Sequence, residues 1–198
     1  ISAYKGLKLR IPGLGGEILK RIGARALFLP GPEIYPSLKS GAIDATEWIG
    51  PWNDLDYEFY KVTKYYYYPG WHEPGPTLEL NVNKKAWDEL SEDLQLIIKN
   101  ASAANNLWML SEFEARNLEA LHTLKDKHKV NVYEFPSEGI KELRKLTKQT
   151  LQEEASKDQT FREVYEAYEK FRADNAAWSV VSEAAYAKAT KSVSGRQR

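Results

Sequence analysis

Leu7-Lys-Leu-Arg-Ile11, Pro12-Gly-Leu-Gly-Gly16 and Glu17-Ile-Leu-Lys-Arg-Ile22 follow one another without a break, and their order decides the fold. An alternating five-residue run is strand-like, a proline and glycine cluster is a turn, and the next run has helical spacing with Gly23 to stop it. The alternation continues downstream. Ala26 to Leu29 reads as a second strand, Glu33 to Leu38 as a short helix ending near Gly41, and Ile43 to Trp48 as a third strand. Tyr65 to Tyr68 and Leu78 to Val82 are two more candidates. Strands alternating with short helices predict βα units, so the expected class is α/β with a mostly parallel sheet. Seven of the nine prolines and ten of the twelve glycines lie before Pro76, which confines this turn-rich texture to the first half.

Past Ser91 the period becomes helical. Ser91 suits an N-cap, Glu92 and Asp93 suit the positive end of the helix dipole, and Leu94, Ile97, Ile98, Ala101, Ala104 and Trp108 fall on one face. That helix is expected to run to about Lys125. Val130 to Phe135 is a return strand stopped by Pro136, and Ser137 opens a helix carrying Ile140, Leu143, Leu146 and Leu151. A last helical stretch presents Phe161, Val164, Tyr165, Tyr168, Phe171, Trp178 and Val181 on one broad stripe, which needs a cover. That cover is either the sheet of the same domain, or a second chain or the missing part of this one; a helical interaction module working through the stripe is a further alternative function. The expected organisation is an α/β ligand-binding lobe over 1–90, a long helix and return strand over 91–135, and C-terminal helices over 136–198.

Composition bounds the chemistry. With 28 Lys and Arg against 28 Asp and Glu, zero net charge gives no electrostatic case for nucleic acid or an anionic membrane. The absence of cysteine excludes a thiol nucleophile, a thiolate metal site and a disulfide. No apolar run approaches the roughly 20 residues of a membrane helix. The opening Ile1-Ser-Ala-Tyr-Lys-Gly reads as mid-protein sequence leading into a strand, so a preceding portion is expected; the basic tail from Lys191 to Arg198 is uninformative.

Among individual residues, Gly13-Leu-Gly-Gly16 lacks the third glycine of a dinucleotide fingerprint, since position 18 is Ile18, and no Walker lysine follows. A plain tight turn or a weak anion-favouring helix start remains. Arg10 alternates with Leu9 and Ile11 and lies at the carboxyl end of its strand, where α/β sheets bind ligands and a guanidinium can hold a carboxylate. The alternative is a surface arginine. Glu47 and Trp48 stand at the corresponding end of the third strand, an acid able to coordinate a cation beside an apolar wall. Asp44 reads as a turn or capping residue, and His122 and His128 as solvated. His72, in Gly70-Trp-His-Glu-Pro-Gly75, can line a pocket but has no second histidine at metal spacing. Of Tyr65 to Tyr68, two are expected inside and two outside. No nucleophile elbow or compelling carboxylate pair occurs, so the enzymatic alternative rests on His72 and Glu73 as acid and base.

Three runs together, Lys8 to Glu17, Leu29 to Trp48 and Tyr65-Tyr-Tyr-Tyr-Pro-Gly-Trp-His-Glu-Pro-Gly-Pro76, resemble the solute-binding subunit of tripartite ATP-independent periplasmic (TRAP) transporters, in the branch that binds 2-oxo acids or lactate. The resemblance extends through Asn81 to Asp88 and the long helix. It implies a two-lobed α/β periplasmic fold, of which the first lobe's opening units are absent here. Arg10 matches the family arginine that pairs with the substrate carboxylate. Glu47 and Trp48 match the acid and following carbonyl that help hold a metal ion, sodium or calcium. Trp48 stands where most members outside this branch have asparagine, which favours a small 2-oxo or 2-hydroxy acid. Trp71 and His72 resemble cleft-wall residues. The family also implies delivery to a membrane permease, a periplasmic location, and a homodimer through the terminal helices.

Overall fold

The computed structural model describes residues 2–75 and 78–194, the side chains as far as residue 190. Ile1, Pro76 of the tyrosine-rich motif and the end of the basic tail lie outside the described residues. Two units divide the chain, Ile1–Leu143 and Arg144–Arg198.

The first unit opens with a short 3-10 turn and then β1 (Lys8–Arg10), α1 (Gly13–Arg21), β2 (Arg25–Leu27), α2 (Gly31–Ser40), β3 (Ala45–Thr46) and α3 (Pro51–Asp56). The three strands form a parallel sheet in the order β2-β1-β3, with Arg10 in register with Leu27 on one side and Thr46 on the other. All three carboxyl ends therefore lie along one edge. Behind it, Ile34, Leu38, Ile43 and Phe59 form a buried cluster on which Leu29, Tyr35, Trp48 and Val62 pack. Each fully buried aliphatic side chain of this kind contributes about 1.5–3 kcal/mol. The α2 helix stops at Gly41, whose left-handed backbone (φ 74°) lets its N–H reach Leu38 O.

The glycines expected to form a turn instead lie within the first turn of α1. A Cβ on Gly15 would stand 2.8 Å from Cδ1 of Ile11 and 3.5 Å from Cβ of His72. The missing side chain lets helix, strand and the His72 loop approach closely.

Next come β4 (Tyr65–Tyr68), α4 (Lys84–Asp88), α5 (Glu92–His122), a π turn over Thr123–Lys127 and β5 (Asn131–Glu134). The β4 and β5 strands pair in parallel as a separate two-stranded sheet, so the expected parallel pairing is split between two sheets. Of the four tyrosines only Tyr66 turns inward; Tyr65, Tyr67 and Tyr68 are exposed. Leu78 to Val82 is not a strand: no neighbour pairs with it among the described residues, and Leu78, Leu80 and Val82 are exposed.

The α5 helix begins after Ser91 as expected, but its burial does not follow the predicted face. Leu94, Ile97 and Trp108 are exposed, whereas Ala120 and the following Leu124 are buried. Its contacts come further along, where Phe113 packs edge-on against Trp52 of α3 with ring centroids 5.3 Å apart.

From Ser137 the chain is helical: α6 (Ser137–Lys157), which crosses the unit boundary, α7 (Gln159–Val181) and α8 (Glu183–Ser194). Asp158 caps α7 by accepting the N–H of Phe161 at 2.6 Å. Leu143 is buried as the α6 pattern predicts, but Val164, Tyr168, Phe171, Trp178 and Val181 of the α7 stripe are exposed. Among the described residues, no helix is long and apolar enough to cross a membrane.

Candidate functional site

The carboxyl edge of the three-stranded sheet gathers Arg10, Glu47, Trp48 and His72. Arg10 is 6% exposed, so it is not a surface arginine. Its Nε donates to Leu29 O at 2.9 Å, and its Nη1 donates to both a carboxylate oxygen and the backbone carbonyl of Glu47. Nη2 has no acceptor among the described residues. Both sides of the ion pair are largely withdrawn from water, which makes the pair costly to break from one side.

Glu47 is shared. While Oε1 meets Arg10, Oε2 lies 3.3 Å from Nε2 of His72. The acid partner of His72 is thus Glu47 and not its neighbour Glu73, which removes the geometric basis of the acid–base pair considered for catalysis. Thr46 also donates from its hydroxyl to Glu47 O at 2.8 Å, fixing the backbone at the strand end.

Trp48 stacks toward the guanidinium, with its ring 5.2 Å from the Arg10 guanidinium carbon. Tyr57 stands 5.3 Å away on the same ring, and a Cβ on Gly31 would lie 2.8 Å from Trp48 Cη2. The wall is therefore rigid. Two buried polar atoms here have no partner among the described residues, Trp48 Nε1 and His72 Nδ1. Buried polar groups are rarely left so, and both belong to residues selected from sequence as ligand contacts. Trp71 packs edge-on against His72 with ring centroids 5.3 Å apart.

Asp44 stands in the bend before β3 and ties it to β1: its carboxylate accepts the N–H of Lys8 at 2.9 Å, and that bond is the main cause of its lowered pKa. His128 is stacked on Tyr60, with ring centroids 3.6 Å apart, rather than simply solvated. No group of three or more His, Cys, Asp or Glu side chains among the described residues is arranged to hold a metal ion. Glu47 supplies oxygen donors of the hardness sodium and calcium prefer, but one carboxylate falls well short of the six to eight oxygens calcium takes.

Two features had no reading in the sequence. Asn117 of α5 accepts the backbone N–H of Trp52 at 3.0 Å, tying the long helix to the segment just after Trp48. Asp54 is buried one helical turn beyond Gly50, hydrogen-bonded to Tyr66.

The sheet edge thus holds one arginine and one carboxylate largely withdrawn from water beside an indole ring, a candidate site for a small molecule. Residues 2–158 match the family model described as bacterial extracellular solute-binding protein, family 7, and the chain belongs to this family, one of binding proteins rather than enzymes. It is 44% identical over 186 residues to a monocarboxylate 2-oxoacid-binding periplasmic protein of Nostoc sp., covering 94% of this chain and 51% of that protein. A TRAP transporter solute-binding protein from Bordetella bronchiseptica superposes with a TM-score of 0.90 at 34% identity, covering 99% of this chain and 58% of that one. It is described as a mixed-occupancy dimer, with a copurified calcium- and picolinate-bound active site versus an apo site. One from Pseudoalteromonas atlantica, with bound sodium and pyruvate, gives 0.88 at 35% identity and covers 94% and 56%. The fold is thus that of TRAP solute-binding proteins, and the family places the protein outside the cytoplasm. The chain spans about half the length of the curated relative it matches.

Proposed function

We propose that the protein captures a small monocarboxylate, a 2-oxo acid such as pyruvate or a 2-hydroxy acid such as lactate, for delivery to a TRAP membrane permease. The observation that carries this reading is the buried Arg10–Glu47 pair at the sheet edge, with Nη2 of Arg10 still open. A carboxylate arriving there has one donor ready and gains a second if Glu47 gives up Nη1. Glu47 can do so only if its own charge is met elsewhere. The Glu47 side chain and the Trp48 carbonyl would hold a sodium or calcium ion, which supplies positive charge to Glu47 and to the ligand's oxygens. Arg10 is then freed for the carboxylate, Trp48 forms the apolar wall, and His72, backed by Trp71, offers a second polar contact.

The reading makes ligand and cation mutually dependent. Either one alone leaves a buried charge unmatched, a cost of several kcal/mol. Titration calorimetry of the protein as encoded with pyruvate, lactate and 2-oxobutyrate, with and without calcium, tests it. Binding that needs both components and disappears in Arg10→Ala is expected; unchanged affinity in that variant would overturn the site.

We further infer a homodimer through the C-terminal helices. Its support is the exposed row of Val164, Tyr168, Phe171, Trp178 and Val181 along α7, together with the dimer of the Bordetella relative. Sedimentation at low micromolar concentration is expected to return twice the chain mass.

A further inference from the structure

One buried carboxyl is left over from the site just described. Asp54 of α3 is 8% exposed and accepts a hydrogen bond from the Tyr66 hydroxyl at 2.6 Å, while its other oxygen has no partner among the described residues. A carboxyl oxygen buried without a donor is costly, so this position bears a group that is unfavourable for stability alone. What the carboxyl provides is a fixed bond to β4.

That bond joins two parts that the backbone ladders leave separate. Arg10 and Glu47 stand at the edge of the three-stranded sheet, whereas His72 follows β4 of the two-stranded sheet. Among the described residues, no backbone hydrogen bond links a strand of one sheet to a strand of the other. The place of His72 relative to Glu47 is therefore set by the connecting chain and by side-chain contacts. Two cross-links tie the same pair of segments: Glu47 Oε2 lies 3.3 Å from Nε2 of His72 at one end, and Tyr66 holds Asp54 at the other.

Between the cross-links both segments are stiff. The start of α3 is held by Asn117, which accepts the Trp52 N–H at 3.0 Å, and β4 is paired along its length with β5. The turn that leads from β4 to His72 is tight, since a Cβ on Gly70 would stand 2.9 Å from the carbonyl oxygen of Glu73. A displacement of Tyr66 is therefore passed on to His72 rather than absorbed by a loose loop. Burial pushes the Tyr66 pKa up, so its hydroxyl keeps the proton that makes the bond.

We propose that Asp54 and Tyr66 are positioning residues of the binding site: their hydrogen bond sets where His72 stands relative to Glu47, and so whether both groups meet one ligand. This rests on the reading of Glu47 and His72 as groups that face the ligand.

The test uses the protein as encoded, with calorimetry against pyruvate at fixed calcium and proton NMR of the ligand-free chain. Tyr66→Phe is expected to weaken pyruvate binding by about fivefold or more, within the range of coupling between neighbouring groups. Asp54→Leu, which cannot accept the bond, shows the same loss, and Asp54→Asn, which keeps an acceptor oxygen, restores most of it. In a His72→Ala background, Tyr66→Phe changes affinity by less than about twofold, because its effect runs through His72. In the spectrum, the His72 Hε1 resonance, identified by its absence in His72→Ala, moves in Tyr66→Phe while that of His122 stays in place. Equal losses from Tyr66→Phe in both backgrounds, or a stationary His72 resonance, overturn the proposal. Loss of binding in Arg10→Ala with none in Tyr66→Phe overturns it alone. Unchanged binding in Arg10→Ala overturns the site and this proposal with it.

Discussion

Tyr66 donates a 2.6 Å hydrogen bond from its hydroxyl to Oδ2 of Asp54, while Oδ1 of the same carboxyl is buried without a partner among the described residues. Burial is the main reason the Asp54 pKa is pushed up to about 7; the Tyr66 bond acts in the opposite direction and the Glu47 charge adds to the rise. The folded chain therefore keeps a proton that the unfolded chain releases near its ordinary value of 3.8. Stability conferred by this proton is complete below about 4 and is lost as pH rises toward and through 7. Urea midpoints are expected to be higher at pH 5 than at pH 8. Asp54→Asn should abolish most of that difference; a variant with the same pH profile would show that another group is responsible.

Arg10→Ala leaves the Glu47 carboxylate buried with only His72 beside it. The expected cost in ligand-free protein is roughly 3 kcal/mol, read from urea unfolding. Replacing both partners with apolar residues, Arg10→Met with Glu47→Leu, should recover most of this stability while abolishing binding. If the double variant is no more stable than the single one, the pair contributes more than charge neutralisation.

Gly31→Ala places a Cβ 2.8 Å from Cη2 of Trp48, closer than the two atoms can approach, so the indole must move. We expect a loss of about 1–3 kcal/mol of stability and a shift in tryptophan fluorescence. Ligand affinity falls with it, because the displaced ring is a wall of the site.

Asn117→Ala removes the acceptor for the Trp52 N–H and opens space beside Gly50. The bond is half-buried, so leaving the amide without its acceptor is expected to cost about 1 kcal/mol, the low end of the range for an unsatisfied buried group. Asn117→Asp keeps an acceptor oxygen and should restore most of the melting temperature. Failure of that rescue would mean that packing of the Asn117 amide, rather than its hydrogen bond, holds the segment.

Much of the site could be read from residue order, because the carboxyl ends of parallel strands converge wherever the strands are correctly identified. That order places Arg10, Glu47 and Trp48 at one sheet edge, where the structure brings them together. Their mutual pairing could not be read that way, since it depends on which strand lies in the middle. His72 was visible as a polar residue in a proline-rich loop, yet its partner is Glu47, distant in sequence, rather than adjacent Glu73. Asp54 gave no signal: an acid in the first turn after Gly50-Pro51 reads as a helix-dipole residue, and only Tyr66 from β4 reveals its burial. Helical periodicity located α5 and α7 but misjudged which face of α5 is buried and left the cover of α7 open, because a 3.6-residue stripe specifies a sticky face without specifying its cover. Leu78 to Val82 failed for the same reason, alternation being necessary for a strand but a pairing neighbour being what makes one.

The separation of the two sheets has a kinetic side. The strands β1, β2 and β3 are joined by short helical crossovers, so each closes a modest loop on its neighbour. Tyr65–Tyr68 can meet Asn131–Glu134 only after the whole of α5 has been laid down between them. Contacts closed by short loops form early and those closed by long ones form late. During refolding the amides of Leu9 and Arg10 should therefore gain protection from exchange before that of Tyr66, so that the three-stranded sheet is assembled first and the tyrosine strand locks on last.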